Sequence, residues 1–235
     1  MTKIHHINCG TLLVPGYPTV VCHCLLLEDG RDLALVDAGI GLLDVENPIE
    51  RLGKPLIDAA GFQFNEADTA VRQIECLGLQ PESVRQIVLT HGDPDHVGGL
   101  ADFPDTHVHL AAEELANLSS GNPRYVPRLF EHGPRWQPYA SPTDNWFGLP
   151  AREVDLGFSG QVLLIPLFGH TLGHCGVAVQ QGERWLLHAG DAYYLRAELT
   201  DDNHPVSAMA AQRADNDALR RASLRELRRL LNEHG

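Results

Sequence analysis

Residues Ile87 to Leu100 read IVLTHGDPDHVGGL, and the fold turns on how this stretch is read. The apolar run Ile87-Val88-Leu89 has the character of a buried strand, and it leads through Thr90 into His91, Asp93, Asp95 and His96. Four side chains with metal-ligating atoms therefore fall within six residues, and Gly98 and Gly99 close the segment. Adjacent carboxylates repel, and each resists burial as an anion. A divalent cation is the commonest way to neutralise such a group. A polar turn with a satisfied histidine is the plainer account, but it suits a lone histidine better than this spacing.

Two later stretches have the same character. LFGHTLGHCGVAVQ follows an apolar strand at Gln161 to Pro166 and carries His170 and His174 between glycines. ERWLLHAGDAYYLRAEL sets His188 on a strand that ends at Gly190-Asp191, with Tyr193 and Tyr194 just beyond. Earlier in the chain, LALVDAGIG places Asp37 at the end of a short strand, where an Asp is often a turn or helix cap.

Together these stretches resemble the signature of the metallo-β-lactamase-fold superfamily. The family pattern is His-x-His-x-Asp-His; here it is His-x-Asp-x-Asp-His, with Asp93 in the place of the second histidine. That exchange substitutes an anionic oxygen for a neutral imidazole and makes a site harder and more negative. The Gly-His-Thr-x-Gly-His and Gly-Asp elements match at Gly169 to His174 and at Gly190-Asp191.

The resemblance implies an α/β fold, a four-layer αββα sandwich spanning residues 1–235 as a single domain. It implies a first metal site of His91, Asp93 and His170, a second of Asp95 and His96, and Asp191 bridging the two. Asp37 would support the metal loops from behind, and His174 would orient a ligand. The expected cofactor is two divalent ions, with zinc first and manganese or iron as alternatives. The implied chemistry is hydrolysis: a metal-bound hydroxide attacks the carbonyl of a lactone, ester or thioester, Asp95 orients it or passes a proton, and Tyr194 steadies the oxyanion. Tyr193 is the competing tyrosine.

Three other readings stand beside this one. Persulfide-dioxygenase relatives use one iron, and the residues matching theirs, His91, His170 and Asp191, are present. A binding module that has lost catalysis is motivated by Asp93 and by the family's last histidine, which would follow a further strand. The chain stops at Gly235 before such a strand, and truncation is the expectation. A β-lactamase proper is disfavoured by Asp93 and by the N-terminus MTKIHHINCG, which lacks the apolar segment of a signal peptide.

Composition narrows the partners. With 31 acids against 18 Lys plus Arg, the net charge of -13 disfavours nucleic acid. No apolar run approaches membrane-spanning length, and Cys9, Cys22, Cys24, Cys76 and Cys175 lack the spacing of a disulfide framework. A small-molecule substrate and a reducing cytoplasm are the expectation. Cys22-His23-Cys24 lies in a strand-like run, so buried thiols outweigh a metal reading there.

The remaining elements follow from periodicity. Strands are expected near Lys3 to Cys9, Thr19 to Leu27, Asp32 to Val36 and Thr106 to Leu110, and short helices with loop from Asp44 to Phe64. Ala70, Val71, Ile74 and Leu77 mark one core-facing helix. Residues 215–235 form another, with Leu219, Leu224, Leu227, Leu230 and Leu231 as its stripe and its arginines as a solvated face. Residues 119–150 mix aromatics with prolines. They read as a cap giving apolar walls to a substrate pocket, or as the contact surface of a homodimer.

Overall fold

The computed structural model describes residues 1–201 and 203–235. It divides into two compact units, residues 1–109, 122–137 and 156–159 in the first and 110–121, 138–155 and 160–235 in the second.

The first unit is built on a seven-stranded sheet. Its strands are β1 (Lys3–Leu12), β2 (Val20–Asp29), β3 (Asp32–Val36), β4 (Phe62–Gln63), β5 (Val84–Val88), β6 (His107–Ala111) and β7 (Arg135–Tyr139), in the order β4-β1-β2-β3-β5-β6-β7. Leu25, Leu26 and Leu27 are all buried, so β2 is covered on both faces there. In the preceding turn of strand, Cys22 and Cys24 are buried while His23 is exposed, the alternation its sequence predicts.

The junction that matters for function lies between β3 and β5. They run parallel, with Val36 opposite Val88. Two parallel neighbours release their chains at the same sheet end, which is where α/β proteins place ligands. Asp37, leaving β3, donates its backbone N–H to the Val88 carbonyl at 3.0 Å. Thr90 and His91 leave β5 at the same level.

The segment expected to be short helices is α1 (Leu42–Glu46), α2 (Pro48–Leu52) and α3 (Lys54–Ala60). Helix α4 (Ala70–Cys76) buries Ala70 and Ile74. Leu77, expected on that core face, is 44 % exposed instead, because the helix ends before it and Gly78 turns the chain away with a φ of +75°. Helix α5 (Pro94–Val97) is a single turn inside the His91 to Gly99 loop.

The second unit holds an antiparallel sheet of β8 (Asp144–Trp146), β9 (Leu149–Glu153), β10 (Val162–Pro166), β11 (Cys175–Gln181) and β12 (Arg184–His188), ordered β12-β11-β10-β9-β8. Its helices are α6 (Ala112–Ser119), α7 (Val206–Arg213) and α8 (Asp217–His234). Asn216 caps α8, its side-chain oxygen accepting from the Leu219 N–H at 3.1 Å. Leu224, Leu227 and Leu230 are buried, while Leu219 and Leu231 lie at the stripe's exposed margin. Not every arginine of α8 is solvated. Arg220 is buried, its Nη2 bonded to Asp217 at 2.7 Å and its Nη1 3.8 Å from the buried Glu198. A charge can enter a core when its partner enters with it.

The aromatic and proline-rich stretch from residue 119 to 150 is shared between the units. Its first part contributes a 3-10 turn at Pro127–Phe130 to the first unit; its later part supplies β8 and the start of β9 to the second. Trp146 is buried against Leu149, Leu163 and Trp185, so this aromatic serves the core. Among the described residues no helix is long and apolar enough to cross a membrane, and all five cysteines are free thiols.

Asp102 ties the loop back to α1 by accepting the Leu42 N–H at 2.9 Å. Burial, reinforced by Asp44, pushes its carboxyl up to about 6. The acid is thus harder to ionise folded than unfolded, so stability falls as pH rises from about 4 to about 6 and is level above. Asp102→Asn keeps the acceptor and removes that slope. Chemical denaturation should show the variant more stable by about 1–3 kcal/mol at pH 7.5, with the difference vanishing below pH 4.

Candidate metal centre

The candidate ligands fall in two groups, one half-site within each unit. In the first unit the organising group is Asp37, fully buried and held at a φ of +59°. A left-handed backbone is uncommon outside glycine, but Asp and Asn tolerate it. From there its Oδ1 accepts the Thr90 N–H at 2.8 Å. Its Oδ2 accepts the Thr90 hydroxyl and the His96 Nδ1–H, each at 2.8 Å. The Thr90 Oγ1 in turn accepts the His91 Nδ1–H at 2.9 Å.

Both histidines are therefore protonated on Nδ1 and present Nε2 as a lone-pair donor. Imidazoles that ligate a metal are oriented in this way. His91 Nε2 lies 3.4 Å from Asp93 Oδ2, and His96 Nε2 lies 3.7 Å from Asp95 Oδ2. The two rings are 4.1 Å apart between centroids. Imidazole and carboxylate in this mixture suit zinc, iron or manganese.

Close backbone packing brings the loop to Asp37. A Cβ on Gly99 would stand 2.4 Å from the Ala38 carbonyl oxygen, and one on Gly41 would stand 2.6 Å from that of Gly98. Only glycine fits at these contacts. The loop is tied down further by Ala38 N–H to the His96 carbonyl at 2.8 Å and Gly99 N–H to the Gly39 carbonyl at 3.0 Å.

In the second unit His170 and Asp191 lie together, Nε2 to Oδ2 at 3.3 Å. Tyr194 stands beside them, its hydroxyl 3.4 Å from His170 Nδ1, whereas Tyr193 packs on the apolar core. Of the two tyrosines, Tyr194 is the one whose hydroxyl reaches His170. His174 is buried and engaged at both nitrogens. Its Nδ1–H donates to the Leu167 carbonyl and its Nε2 accepts the Asp191 N–H, both at 3.0 Å. It positions Asp191.

Two acids that the sequence did not single out hold this half in place. Glu114, buried on α6, accepts the Thr171 hydroxyl at 2.5 Å and the Gly173 N–H at 3.2 Å. Glu198, also buried, accepts the Tyr194 and Leu195 N–H groups at 2.8 and 3.2 Å. His107 and His109 share one face of β6, yet only His109 is buried, with its Nε2 2.8 Å from the Gln86 side-chain oxygen. That is a structural role. His234 ends α8 against the Phe147 ring.

Asp93 departs from the simple picture. Both of its oxygens are taken by Arg124, Nε to Oδ1 and Nη2 to Oδ2, each at 2.5 Å. The sequence offered no sign of this partner, since Arg124 lies 31 residues away in an irregular segment.

Comparison with known proteins places these half-sites in context. The sequence model of a family described as the metallo-beta-lactamase superfamily matches residues 17–233. A probable metallo-hydrolase of Mycobacterium tuberculosis is 41% identical over 211 residues, 84% of this chain and 64% of that protein. The chain thus spans a little under two thirds of that relative's length. An N-acyl homoserine lactonase of Rhizobium johnstonii is 26% identical over 201 residues, 82% of this chain and 73% of that one. Among solved structures, an N-acyl homoserine lactone hydrolase with N-hexanoyl-L-homoserine at its catalytic metal centre superposes with a TM-score of 0.74. It covers 98% of this chain and 89% of its own at 20% identity, which shows a shared fold.

Asp37→Asn tests the support. Whichever way the amide turns, an NH2 faces a donor, Thr90 N–H on one side or Thr90 and His96 on the other. The expected cost is roughly 1–3 kcal/mol of unfolding free energy and a ~10–100-fold weaker zinc affinity, read by urea denaturation and calorimetric titration.

Proposed function

Because this chain belongs to the metallo-beta-lactamase superfamily, we propose that it is a metal-dependent hydrolase that opens a lactone ring. The observation that carries the reading is the Asp37 network, which leaves the Nε2 atoms of His91 and His96 outside it, the first beside Asp93 and the second beside Asp95. The proposed ligands are His91, Asp95, His96, His170 and Asp191. Bound by them, a divalent ion would polarise a carbonyl and bring the pKa of a water to about 7. Zinc is the expected metal, and two ions per chain the expected complement.

The protein's own groups then have separable tasks. Asp95, about one fifth exposed, takes the proton of the attacking water and returns it to the leaving alcohol oxygen. Tyr194 donates its phenolic hydrogen to the carbonyl oxygen as negative charge grows there. His174 and Glu198 hold the backbone of Asp191 and Tyr194, so neither group must reorganise during the reaction. Support for a lactone, among carbonyl substrates, comes from the lactonase relatives and from an acidic chain that suits an uncharged substrate.

The test is a panel of N-acyl homoserine lactones, simple lactones, esters and thioesters with the zinc-loaded chain, followed by mass spectrometry of the hydroxy-acid product. Lactone turnover is expected. Asp95→Asn should lower kcat/KM by ~100-fold or more. Tyr194→Phe should lower kcat by roughly 100-fold with metal content unchanged. No turnover of any carbonyl substrate would sink the proposal, and a single iron with persulfide-dependent oxygen uptake would replace it with oxidation chemistry.

A further inference from the structure

The loop after β5 and its support bring three carboxylates into the first unit's half-site, and their surroundings differ. Asp37 is satisfied by hydrogen bonds from Thr90 and His96. Asp95 is partly exposed beside His96. Asp93 is held by a guanidinium. The Asp93 and Arg124 side chains are only 6% and 10% exposed, and their two parallel contacts of 2.5 Å form a bidentate fork. Such a pair offsets the carboxylate's charge, uses one lone pair on each of its oxygens and sets a fixed positive charge where a cation would approach.

Arg124 is held where it is by its own segment. Its N–H donates to the Asn122 side-chain oxygen at 3.0 Å, and the next residue, Tyr125, is buried. Four residues on, the Arg128 carbonyl accepts from Arg51 Nη1 at 3.0 Å, and Arg128 Nη1 donates to the Glu50 carbonyl at 2.8 Å. Arg51 is itself bonded to the buried Asp44. The segment is thus fastened to α2 and presents the guanidinium to Asp93 from a fixed base.

We propose that Asp93 is the anchor of Arg124 and not a metal ligand. The change from histidine to aspartate at position 93 then exchanges a ligand for a permanently charged arginine fixed beside the metal loop. Metal held by the chain is independent of Asp93. The inference rests on the metal-centre reading for its metal consequence, but the ion pair itself does not depend on it.

Two measurements test it. First, in chelator, Asp93→Asn and Arg124→Gln should each lower the midpoint of thermal unfolding by leaving one buried charge unpaired, and the double variant should recover most of the loss. Equal, additive losses would overturn the pair. Second, zinc per folded chain is measured by elemental analysis, with near-UV circular dichroism confirming the fold. The double variant should retain the wild-type content, and its zinc affinity should stay within about 3-fold. Loss of an ion, or a 10-fold weaker affinity, would overturn the proposal by making Asp93 a ligand. Asp95→Asn, measured alongside, should lose metal; if it does not, the metal-centre reading fails on its own account, while the melting data still decide the pair.

Discussion

Everything in the first half-site depends on one buried carboxylate accepting three hydrogen bonds. Asp37 takes the backbone and side chain of Thr90 and the Nδ1 of His96, and through Thr90 it fixes His91 as well. The cost of burying an anion is offset because the loop that it organises supplies the Thr90 and His96 donors aimed at it. The parallel pairing of β3 with β5 makes this feasible, since Val36 lies opposite Val88 and the chains carrying Asp37 and Thr90 leave at the same end of the sheet. A one-residue slip would turn Asp37 into the sheet's other face.

The second half-site reaches a similar end by different means. There the support is a histidine, for His174 spends both nitrogens on backbone and so fixes the turn that carries Asp191. Close approach again demands glycine. A Cβ on Gly173 would meet the Glu114 backbone nitrogen at 2.0 Å, and one on Gly169 that of Arg220 at 2.0 Å. Helices α6 and α8 are pressed against the His170 loop at these two points. The buried acid Glu114 then satisfies the loop's own donors from the helix side.

Residues whose role is local were legible in the sequence. The strand before His91, the alternation at Cys22 to Cys24, the glycines around His170 and the helix at 217–234 all follow from period, turn residues and caps. The candidate ligands could be picked out because a short spacing concentrated them. What could not be read was any role set by a distant partner. Leu77 carries the right period but falls one residue beyond its helix. Arg220 belongs to a run of surface arginines, and only its pairing with Asp217 and Glu198 buries it. Glu114, Glu198 and Arg124 are unremarkable residues in sequence. A buried acid does imply a counter-charge, and that much could be inferred for Asp93; which arginine supplies it could not.

The buried charges also change how the acidic composition should be understood. Asp44 with Arg51, Asp93 with Arg124, and Glu113 with Arg152 are contacts of 2.5 to 2.8 Å in which an arginine at most 10% exposed neutralises an acid of the same unit. For Glu113 the arginine also holds the carboxyl below its ordinary range. In these three pairs the acid's charge is balanced from within its own unit. Asp95 and Asp191 follow another pattern. They are 22% and 23% exposed, and each has an imidazole beside it, His96 Nε2 at 3.7 Å from Asp95 and His170 Nε2 at 3.3 Å from Asp191. An imidazole that offers its lone pair to a metal is neutral and cancels no charge. On the proposed reading, a bound cation would supply at Asp95 and Asp191 the positive charge that a neutral imidazole beside each of them does not.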